Sequence, residues 1–359
     1  MQKSHSVAKR SRRAFTIVEL LVCLSIIALL LALIMPAIMK ARSAARQLDC
    51  QSRFKNLALA MQGFAGEHQR FPATALFGAT GDLQGNWVVQ LLPYLDQTNV
   101  SQKWDPKRPA SDPVNRQAAR VSLPVLACPS DISAEPGQPN LSYVVNGGIG
   151  WTEPIDCPVG LHVSNAAAFQ PLDLNGNGVT CAPVGVDDGK PTDRDLFLML
   201  GVFFVENWPI GVGTVRHHRI EDISDGTSQT LCMMENVRAG YDPASGDTWS
   251  SANPRRIAFY LSSYICKNGS CSPGNVDYSR GNDHTQDPYR QESINSSLQQ
   301  AEGEAPWPSS YHTGGVNAVF CDGHIKFVSD LVDGRVYARL VSPQGGSIEG
   351  PLAQGPLSE

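Results

Sequence analysis

The sequence predicts an α+β protein, in which a long N-terminal helix, half in the membrane and half amphipathic, packs on a mainly antiparallel, β-rich globular domain. Two observations predict the helix: residues 20–39 carry no charge, and apolar residues then recur at three- and four-residue steps as far as residue 65. A third predicts the domain, because from about residue 73 the chain breaks into short apolar runs separated by Gly, Pro, Asn and Asp. These patterns divide the chain into a basic leader at 1–14, a transmembrane helix at 15–39, its amphipathic continuation at 40–68, a globular domain at 73–342 and a flexible tail at 343–359.

Composition limits the classes of function that fit this chain. With 359 residues, of which 42% are hydrophobic and 18% charged, the chain is long enough to bury a core in one or two domains. The net charge of -5 provides no basic face, so we expect no nucleic-acid partner. Residues 1–14 contain five basic and no acidic residues. The basic charge is therefore a local signal on an otherwise acidic protein.

The uncharged stretch has the length of a membrane span. At about 1.5 Å per residue, residues 20–39 extend for about 30 Å, the thickness of a hydrocarbon core. The basic cluster before it keeps the N-terminus in the cytoplasm by the positive-inside rule. We therefore expect a single-pass protein of the inner (cytoplasmic) membrane, with its body in the periplasm or outside the cell.

Glu19 separates the alternatives for this segment. A buried core helix is disfavoured because the stretch is apolar on all sides. A secretory signal would have a shorter apolar region, followed by a small-x-small cleavage site. A plain membrane anchor fits the length, but an ionised Glu in hydrocarbon is costly without a partner. Glu19 therefore requires a functional explanation.

Residues 14–21, with the sequence AFTIVELL, resemble the type IV prepilin signature. In that family a membrane peptidase cleaves on the cytoplasmic side of the apolar segment, before a Phe, and methylates the new N-terminus. The resemblance implies that Ala14 is the last leader residue and that Phe15 is the first mature residue and the N-methylation site. The family usually has Gly where this chain has Ala14. Prepilin peptidase is the implied processing partner.

The same resemblance explains Glu19 and Pro36. It implies that Glu19 pairs with the new ammonium of Phe15 on a neighbouring pilin-type subunit, an ion pair that fixes the axial register between subunits. Pro36 lies 22 residues into the implied mature chain, where pilin-like proteins carry a helix-kinking proline. The chain is thus expected to be a pseudopilin-like subunit of a pilus-like or type II secretion-like filament.

The amphipathic continuation of the helix is expected to stop at Gly66, before Pro72. Its predicted core-facing residues are Ala41, Ala44, Ala45, Leu48, Phe54, Leu57, Ala58, Met61, Phe64 and Ala65. In the body, short helices are predicted at 87–95 and 332–340, and a long loop region at 267–310.

Strands are recognised in the body by β-branched and aromatic content. They are predicted at 121–127, 141–145, 201–205, 229–234 and 257–262. A further pair lies within 316–328, where Asp322-Gly323 separates two alternating runs. Asp-Gly in this position predicts a hairpin with a type I′ turn.

Three segments of the body resemble a large bacterial family of prepilin-like proteins with an uncharacterised exported domain. They are CPSD at 128–131, DISDGTSQTL at 222–231, and His312 followed after nine residues by Asp322-Gly323. Some members are catalogued as solute-binding-like, which keeps an alternative open: a singly membrane-anchored exported domain that binds a carbohydrate or another solute. Such a domain is expected to have a pocket lined by aromatic residues, with the candidates Trp87, Trp104, Trp151, Trp208 and Trp249.

We call His312 and Asp322-Gly323 the C-terminal motif. Its histidine and aspartate are residue types that bind metals or act as acids and bases, but we interpret the motif as structural. In the predicted hairpin Asp322 and Gly323 are turn residues, and His312 is expected to hydrogen-bond to the hairpin backbone. Cys321 lies in an apolar strand, where a raised pKa makes a thiol unreactive. The sequence offers no set of nucleophile, base and orienting group, so we expect no catalytic residues and no enzymatic activity.

A candidate calcium loop lies at 173–178, with the sequence DLNGNG. Asp173, Asn175 and Asn177 place oxygens at positions one, three and five, and Gly178 takes position six, as in the first half of an EF-hand loop. Position twelve is Val184 instead of Glu. An Asx-rich turn is therefore the favoured interpretation, and no cofactor is expected to be required.

Nine cysteines are ordinary for an exported protein that forms disulfides. Cys23 in the membrane helix is expected to be free, and Cys232 and Cys321 are expected to be buried thiols or a cross-strand bridge. The spacing Cys-x-x-Cys, which would favour zinc, is absent. Connectivity stays open. The candidate pairs are Cys50 with Cys128, Cys157 with Cys181, and Cys266 with Cys271.

Overall fold

The computed structural model describes residues 16–78, 82–149, 151–153, 157–160, 170–171, 191–206, 218–242, 246–251, 253–261, 282–285, 292–348 and 354. The chain forms two compact units, residues 1–46 and residues 47–359, and each is described by itself. Helix α1, Ile17–His68, contributes its beginning to the first unit and its end to the second.

The first unit consists of the apolar beginning of α1. Every residue from Ile17 to Arg46 is exposed in the structure. An 18-residue window of this helix has a mean hydropathy of 3.0, so its length and composition suit a membrane span. Pro36 lies inside the helix. Apolar side chains that are uncovered in this way are expected to contact lipid or neighbouring helices.

In the second unit α1 buries one face. The buried residues are Cys50, Phe54, Leu57, Ala58, Ala60, Met61, Phe64 and Ala65. The predicted stripe is therefore confirmed from Phe54 onwards. Leu48, which the stripe included, is 66% exposed, because it lies two positions from Cys50 and so points to the other side of the helix. After His68 the helix gives way to Gln69, which has a φ of 55°.

Short helices follow along the body. They are α2 (Trp87–Leu91), α3 (Thr98–Ser101), α4 (Pro113–Ala118), α5 (Asp193–Met199), α6 (Pro254–Ile257) and α7 (Gly334–Val341). Single 3₁₀ turns lie at Leu92–Leu95, Pro124–Leu126, Ile220–Asp222 and Gly345–Ser347. The predicted helices at 87–95 and 332–340 thus correspond to α2 with its following 3₁₀ turn and to α7.

The described strands form three sheets. The strands are β1 (Ala75–Phe77), β2 (Leu83–Asn86), β3 (Tyr143–Asn146), β4 (Trp151–Glu153), β5 (Cys157–Gly160), β6 (Gln170–Pro171), β7 (Leu231–Glu235), β8 (Ala258–Phe259), β9 (Gly315–Phe320) and β10 (Ile325–Ser329). The largest sheet has the order β10-β9-β7-β3-β8, in which only the β3–β8 pair is parallel. The predicted α+β class with mainly antiparallel pairing is confirmed.

The five-stranded sheet is covered on both faces. On one face Phe54 of α1 stacks on Tyr143 of β3, with ring centroids 4.5 Å apart. On the other face Tyr337 of α7 directs its hydroxyl to Met234 of β7, at 3.9 Å from the sulfur. Because neighbouring residues of a strand point to opposite faces, this double cover buries every residue of β3, β7 and β9.

Three strand predictions need correction. Residues 121–127 contain the 3₁₀ turn at Pro124–Leu126, because proline has no N–H to donate to a sheet. Residues 201–205 form no strand, although Thr74 donates its backbone N–H to Phe204 O at 2.8 Å. Of the predicted strand at 257–262, Ile257 ends α6, and within the described residues 257–261 the strand is β8 alone. Short buried apolar runs have no periodicity that separates these outcomes.

The predicted hairpin is present, but its turn is of another type. Strands β9 and β10 pair antiparallel from Val319 and Ile325 outwards. A type I′ turn requires a positive φ at both central residues. Gly323 has a φ of 83°, but Asp322 is not among the residues with positive φ. Gly323 N donates to Phe320 O at 2.8 Å. The turn is therefore a three-residue loop with glycine in the left-handed position.

Candidate functional site

A group of buried residues lies where the second half of α1 packs on the five-stranded sheet. Its members come from five separate places: α1, the segment after the 3₁₀ turn at 124–126, the end of β7, the loop before β9, and β9 itself. We call it the docking cluster, and its residues are Cys50, Cys128, Glu235, His312 and Asn317. All five are buried, with exposed fractions of 8% or less.

Cys50 and Cys128 form a disulfide that joins α1 to the body. Their Cα atoms are 5.0 Å apart, and the bond closes a sequence separation of 78 residues. Arg53, one turn further along α1, donates to the carbonyl oxygens of Pro124 at 2.7 Å and Ala127 at 2.8 Å. The predicted link between helix and body is confirmed. The same segment is thus held by a covalent bond and by two hydrogen bonds.

His312 directs its ring into the docking cluster. Its Nε2 atom lies 3.5 Å from Cys128 Sγ and 3.2 Å from Glu235 Oε1. A disulfide sulfur carries no hydrogen, so Nε2 supplies the hydrogen in its contact with Cys128. The expectation that this side chain would bond to the hairpin backbone is wrong, since the ring faces a buried carboxyl group that needs a partner.

Glu235 and Asn317 form the polar centre of the cluster. The backbone N–H of Asn317 donates to Glu235 Oε2 at 2.7 Å, and its side-chain Nδ2 lies 3.1 Å and 3.2 Å from the two carboxyl oxygens. Gln51 of α1 donates in turn to Asn317 Oδ1 at 3.1 Å. Sequence reasoning missed both residues. Their only signal is a single polar residue in each of two otherwise apolar strands.

The hairpin turn forms a second attachment to α1. Lys55 Nζ donates to Gly323 O at 2.9 Å, and Gln62 Nε2 donates to Asp322 O. The positive φ favours glycine at 323, and a Cβ there would also displace the amide end of the Gln62 side chain. Asp322 Oδ1 accepts from the backbone N–H of His324 at 3.0 Å, which shapes the turn.

The two ends of the C-terminal motif, His312 and the Asp322-Gly323 turn, both lie where the sheet is attached to α1. His312 contacts Cys128, which the disulfide joins to α1, and the carbonyl oxygens of Asp322 and Gly323 accept hydrogen bonds from α1 farther along the helix. Strand β9, Gly315–Phe320, lies within the nine residues between them. The motif accordingly attaches the sheet to α1 at two points.

Asp131, in the CPSD segment, holds the chain that follows Cys128. Its carboxyl oxygens accept from Ser142 Oγ at 2.6 Å, from Ser133 Oγ at 2.5 Å and from the Ser133 backbone N–H at 3.0 Å. Burial raises the pKa of Asp131, and the hydrogen bonds from Ser133 and Ser142 only partly offset it. The segment next to the disulfide thus contains a carboxyl group whose ionisation destabilises the fold.

Because of this raised pKa, we expect Asp131→Asn to change how stability varies with pH. An acid whose pKa is higher in the folded state stabilises the fold below its unfolded pKa, near 4, and that contribution is lost as pH rises through the folded pKa. The variant should therefore lose less free energy of unfolding than the wild type from pH 4 upwards. Urea unfolding at a series of pH values measures this, and parallel profiles for the two proteins would contradict it.

Glu19 has a partner within its own chain. Thr16 donates its backbone N–H, at 3.0 Å, and its hydroxyl, at 2.8 Å, to Glu19 Oε2, and Glu19 N donates to Thr16 Oγ1 at 3.2 Å. This reciprocal pair is a capping box that begins α1. The sequence Thr-x-x-Glu before an apolar run is its signal, and it predicts the cap independently of the prepilin resemblance. Glu19 therefore has both a structural role and a predicted assembly role.

Three further cysteines in the described part of the chain are free. Cys23 is exposed, whereas Cys232, in β7, and Cys321, directly after β9, are buried thiols. Burial raises the pKa of Cys321 well above its usual value, and the contact with Cys232 raises it further. Cys232 and Cys321 were expected to be either buried thiols or a cross-strand disulfide, and in the structure they are buried thiols. Such a thiol is a poor nucleophile.

Three of the five tryptophans for which a pocket was expected lie in the core. Trp87 and Trp249 have no exposed surface and Trp104 is 6% exposed. A cleft of about 670 Å³, lined by both polar and apolar groups, lies on the body, and none of these tryptophans lines it. Its lining includes Arg116, Arg120, Tyr241, Asp247, Thr248 and Ser250.

Several predicted site residues lie outside the described residues. They are the cleavage and methylation positions Ala14 and Phe15, the calcium candidates Asp173, Asn175 and Asn177, Trp208, and the cysteines Cys181, Cys266 and Cys271. Cys157 and Trp151 lie in β5 and β4. The processing site, the calcium loop and these two disulfides stay predictions.

Two family models match the chain. One, described as "Protein of unknown function (DUF1559)", matches residues 39–335, and the other, described as "Prokaryotic N-terminal methylation motif", matches residues 9–35. No curated protein and no solved structure matches. The methylation motif and the apolar half of α1 together support a single-pass membrane anchor that prepilin peptidase processes. The first match includes the whole docking cluster, and the chain belongs to the DUF1559 family with a prepilin-type N-terminus.

Proposed function

We propose that this chain is a pseudopilin-like subunit. Its leader is removed before Phe15, the new N-terminus is methylated, and the apolar half of α1 packs with pilin-type subunits in a pilus-like or type II secretion-like filament. The body lies on the periplasmic or extracellular side and has no enzymatic activity. This function is not tied to a cofactor.

The observation that carries the proposal is the combination of the methylation motif with the exposed apolar surface of α1. Residues 9–35 match the motif, and large apolar side chains from Ile17 to Met39 are about half or more exposed. A helix of this kind needs lipid or other helices around it. The second half of α1 is instead held to the body by the disulfide and the hairpin turn. A subunit that must keep its body fixed to an assembly helix would use such attachments.

The assembly role of Glu19 can be separated from its capping role. Gln at this position can keep the capping box, because an amide oxygen also accepts from Thr16, but it removes the charge. We therefore expect Glu19→Gln and Glu19→Ala each to reduce the protein in the sheared filament fraction at least tenfold, while membrane insertion is unchanged. Quantitative immunoblots of sheared and membrane fractions measure both quantities.

Thr16→Ala is the matched control for this experiment. It removes the capping hydroxyl and keeps the carboxylate of Glu19, so this variant should still assemble. Normal assembly of Glu19→Gln together with failure of Thr16→Ala would assign Glu19 to capping alone and would overturn the ion pair.

The cleft on the body favours a second candidate function, a singly anchored domain that binds a carbohydrate or another polar solute. Two arginines, a carboxylate and hydroxyl groups line about 670 Å³, which is within the size range of small-molecule sites. The two candidates are distinguishable because solute binding in this cleft would be unaffected by Glu19→Gln. A subunit with no solute-dependent change in melting temperature, but with Glu19-dependent assembly, supports the first candidate only.

A further inference from the structure

We propose that the docking cluster binds Zn²⁺ when the Cys50–Cys128 disulfide is reduced. In the oxidised protein α1 is joined to the body by the disulfide, and in the dithiol protein it would be joined at the same place by the metal. The ligands would be the sulfurs of Cys50 and Cys128, Nε2 of His312 and Oε1 of Glu235. These four atoms lie within 4.8 Å of one another.

The distances among the fixed ligands already fit a tetrahedral zinc site. With Zn–N and Zn–O bonds of about 2.0–2.1 Å and Zn–S bonds of about 2.3 Å, neighbouring N and O ligands lie about 3.3 Å apart, and N and S ligands about 3.6 Å apart. His312 Nε2 lies 3.2 Å from Glu235 Oε1 and 3.5 Å from Cys128 Sγ. The two bonded sulfurs have to separate, and reduction releases them to do so. The imidazole and the carboxyl group need little movement.

Glu235 is oriented as a metal ligand would be. Asn317 holds Oε2 with its backbone N–H and contacts both oxygens with its amide, while Oε1 faces His312. Asn317 is itself held by Gln51 of α1. A support of this kind, outside the ligands, fixes the direction of a ligating oxygen.

The cluster also has the charge of a cation site. Glu235 has no exposed surface, and among the described residues no Lys or Arg forms an ion pair with it. A buried carboxylate is stable only with a compensating partner. In the oxidised protein His312 is that partner, and in the dithiol protein two further potential anions would join it. A divalent cation would offset two of the three negative charges that two thiolates and the carboxylate carry.

The chemical steps are balanced if the reductant is a dithiol. The dithiol transfers two electrons and two protons to the Cys50–Cys128 bond, which yields two protein thiols and one oxidised dithiol. Binding of Zn²⁺ then releases the two thiol protons to water, and the sulfurs coordinate as thiolates. His312 coordinates through Nε2, and its ring proton moves to Nδ1.

The sequence gives no zinc signal because the ligands come from four distant segments. Their positions, 50, 128, 235 and 312, contain no paired Cys-x-x-Cys spacing. The helix, the sheet and the loop before β9 bring them together only in the folded protein. Because that spacing is absent, the sequence did not predict a zinc site. The proposed site depends on the fold instead.

The proposal is tested with Co²⁺, a spectroscopic substitute for Zn²⁺, on the full-length protein in detergent. The protein is reduced without oxygen by a phosphine, freed of reductant and titrated with Co²⁺. We expect near-ultraviolet thiolate-to-cobalt absorption and the strong visible bands of a tetrahedral site, saturating at one Co²⁺ per chain. Addition of Zn²⁺ should abolish these bands. The oxidised protein should show neither band.

The variants locate the site. The double variant Cys50→Ala/Cys128→Ala should lose the thiolate absorption, and His312→Gln or Asn317→Ala should weaken Co²⁺ binding about tenfold or more. The matched control is Cys232→Ala/Cys321→Ala, which removes a second buried cysteine pair and should leave the spectrum unchanged. Absence of both bands in the reduced wild type, whether or not it stays folded, would overturn the proposal. So would bands that persist in Cys50→Ala/Cys128→Ala, because other cysteines would then hold the metal.

Discussion

Replacement of both disulfide cysteines by alanine, Cys50→Ala/Cys128→Ala, is expected to lower the free energy of unfolding by about 4 kcal/mol. The bond closes a loop with a sequence separation of 78 residues, and cross-links of this span restrict the unfolded chain by about that amount. The loss should appear in urea unfolding followed by the fluorescence of the buried tryptophans, with a chelator present to exclude metal.

The matched control for the disulfide is Cys23→Ala. Cys23 is exposed and free, so this variant should unfold within about 0.5 kcal/mol of the wild type. A loss of less than about 1 kcal/mol for the double variant would show that the hydrogen bonds of Arg53 and the hairpin contacts hold α1 without the disulfide. The attachment proposed here would then be wrong.

Replacement of Glu235 by alanine is the second change with a large expected effect, about 3–5 kcal/mol of unfolding free energy. The carboxyl group is fully buried and accepts from Asn317, with His312 Nε2 at 3.2 Å. Its removal leaves these buried donors without an acceptor, which costs more than the lost contact alone. Glu235→Gln keeps one oxygen acceptor and should cost less than Glu235→Ala.

Glu221→Ala provides the control for an acidic residue at the surface. Glu221 pairs with Arg219 at 2.9 Å, but its side chain is 70% exposed, and such pairs contribute little. Its replacement should change stability by less than about 1 kcal/mol. If Glu235→Ala were as mild as this control, the docking cluster would not be a tightly coupled polar group.

The sequence predicts well those elements that have a local pattern. Helix α1, the membrane-length apolar stretch and the hairpin follow from periodicity and from Asp-Gly. The predicted type I′ turn is wrong, because Asp322 does not have a positive φ and a third turn residue, Cys321, lengthens the loop. A local pattern thus gives the element and leaves its detailed geometry to the packing against α1.

The docking cluster illustrates what a single sequence cannot predict. Glu235 and Asn317 are isolated polar residues in apolar strands, and only the folded sheet brings them beside His312. Conversely, the roles of His312 and of the Asp322-Gly323 turn become clear from the fold, in which His312 contacts the disulfide that joins α1 to the body and the turn contacts α1 itself. Residues whose partners lie far away in sequence carry no signal of their own.

The N-terminus connects the structure most directly with the proposed function. Glu19 already has a capping partner in Thr16, so its presence alone does not require an assembled filament. The proposed ion pair needs a new cation at Phe15, and that cation exists only after cleavage at Ala14. The processing step is therefore the central claim.

Mass spectrometry of the N-terminal peptide, from protein purified out of the membrane fraction of cells with prepilin peptidase, tests this claim. The account predicts a peptide that begins with N-methylated Phe15 and lacks residues 1–14. A peptide that begins at Met1, or a cleaved N-terminus at any residue other than Phe15, would contradict it.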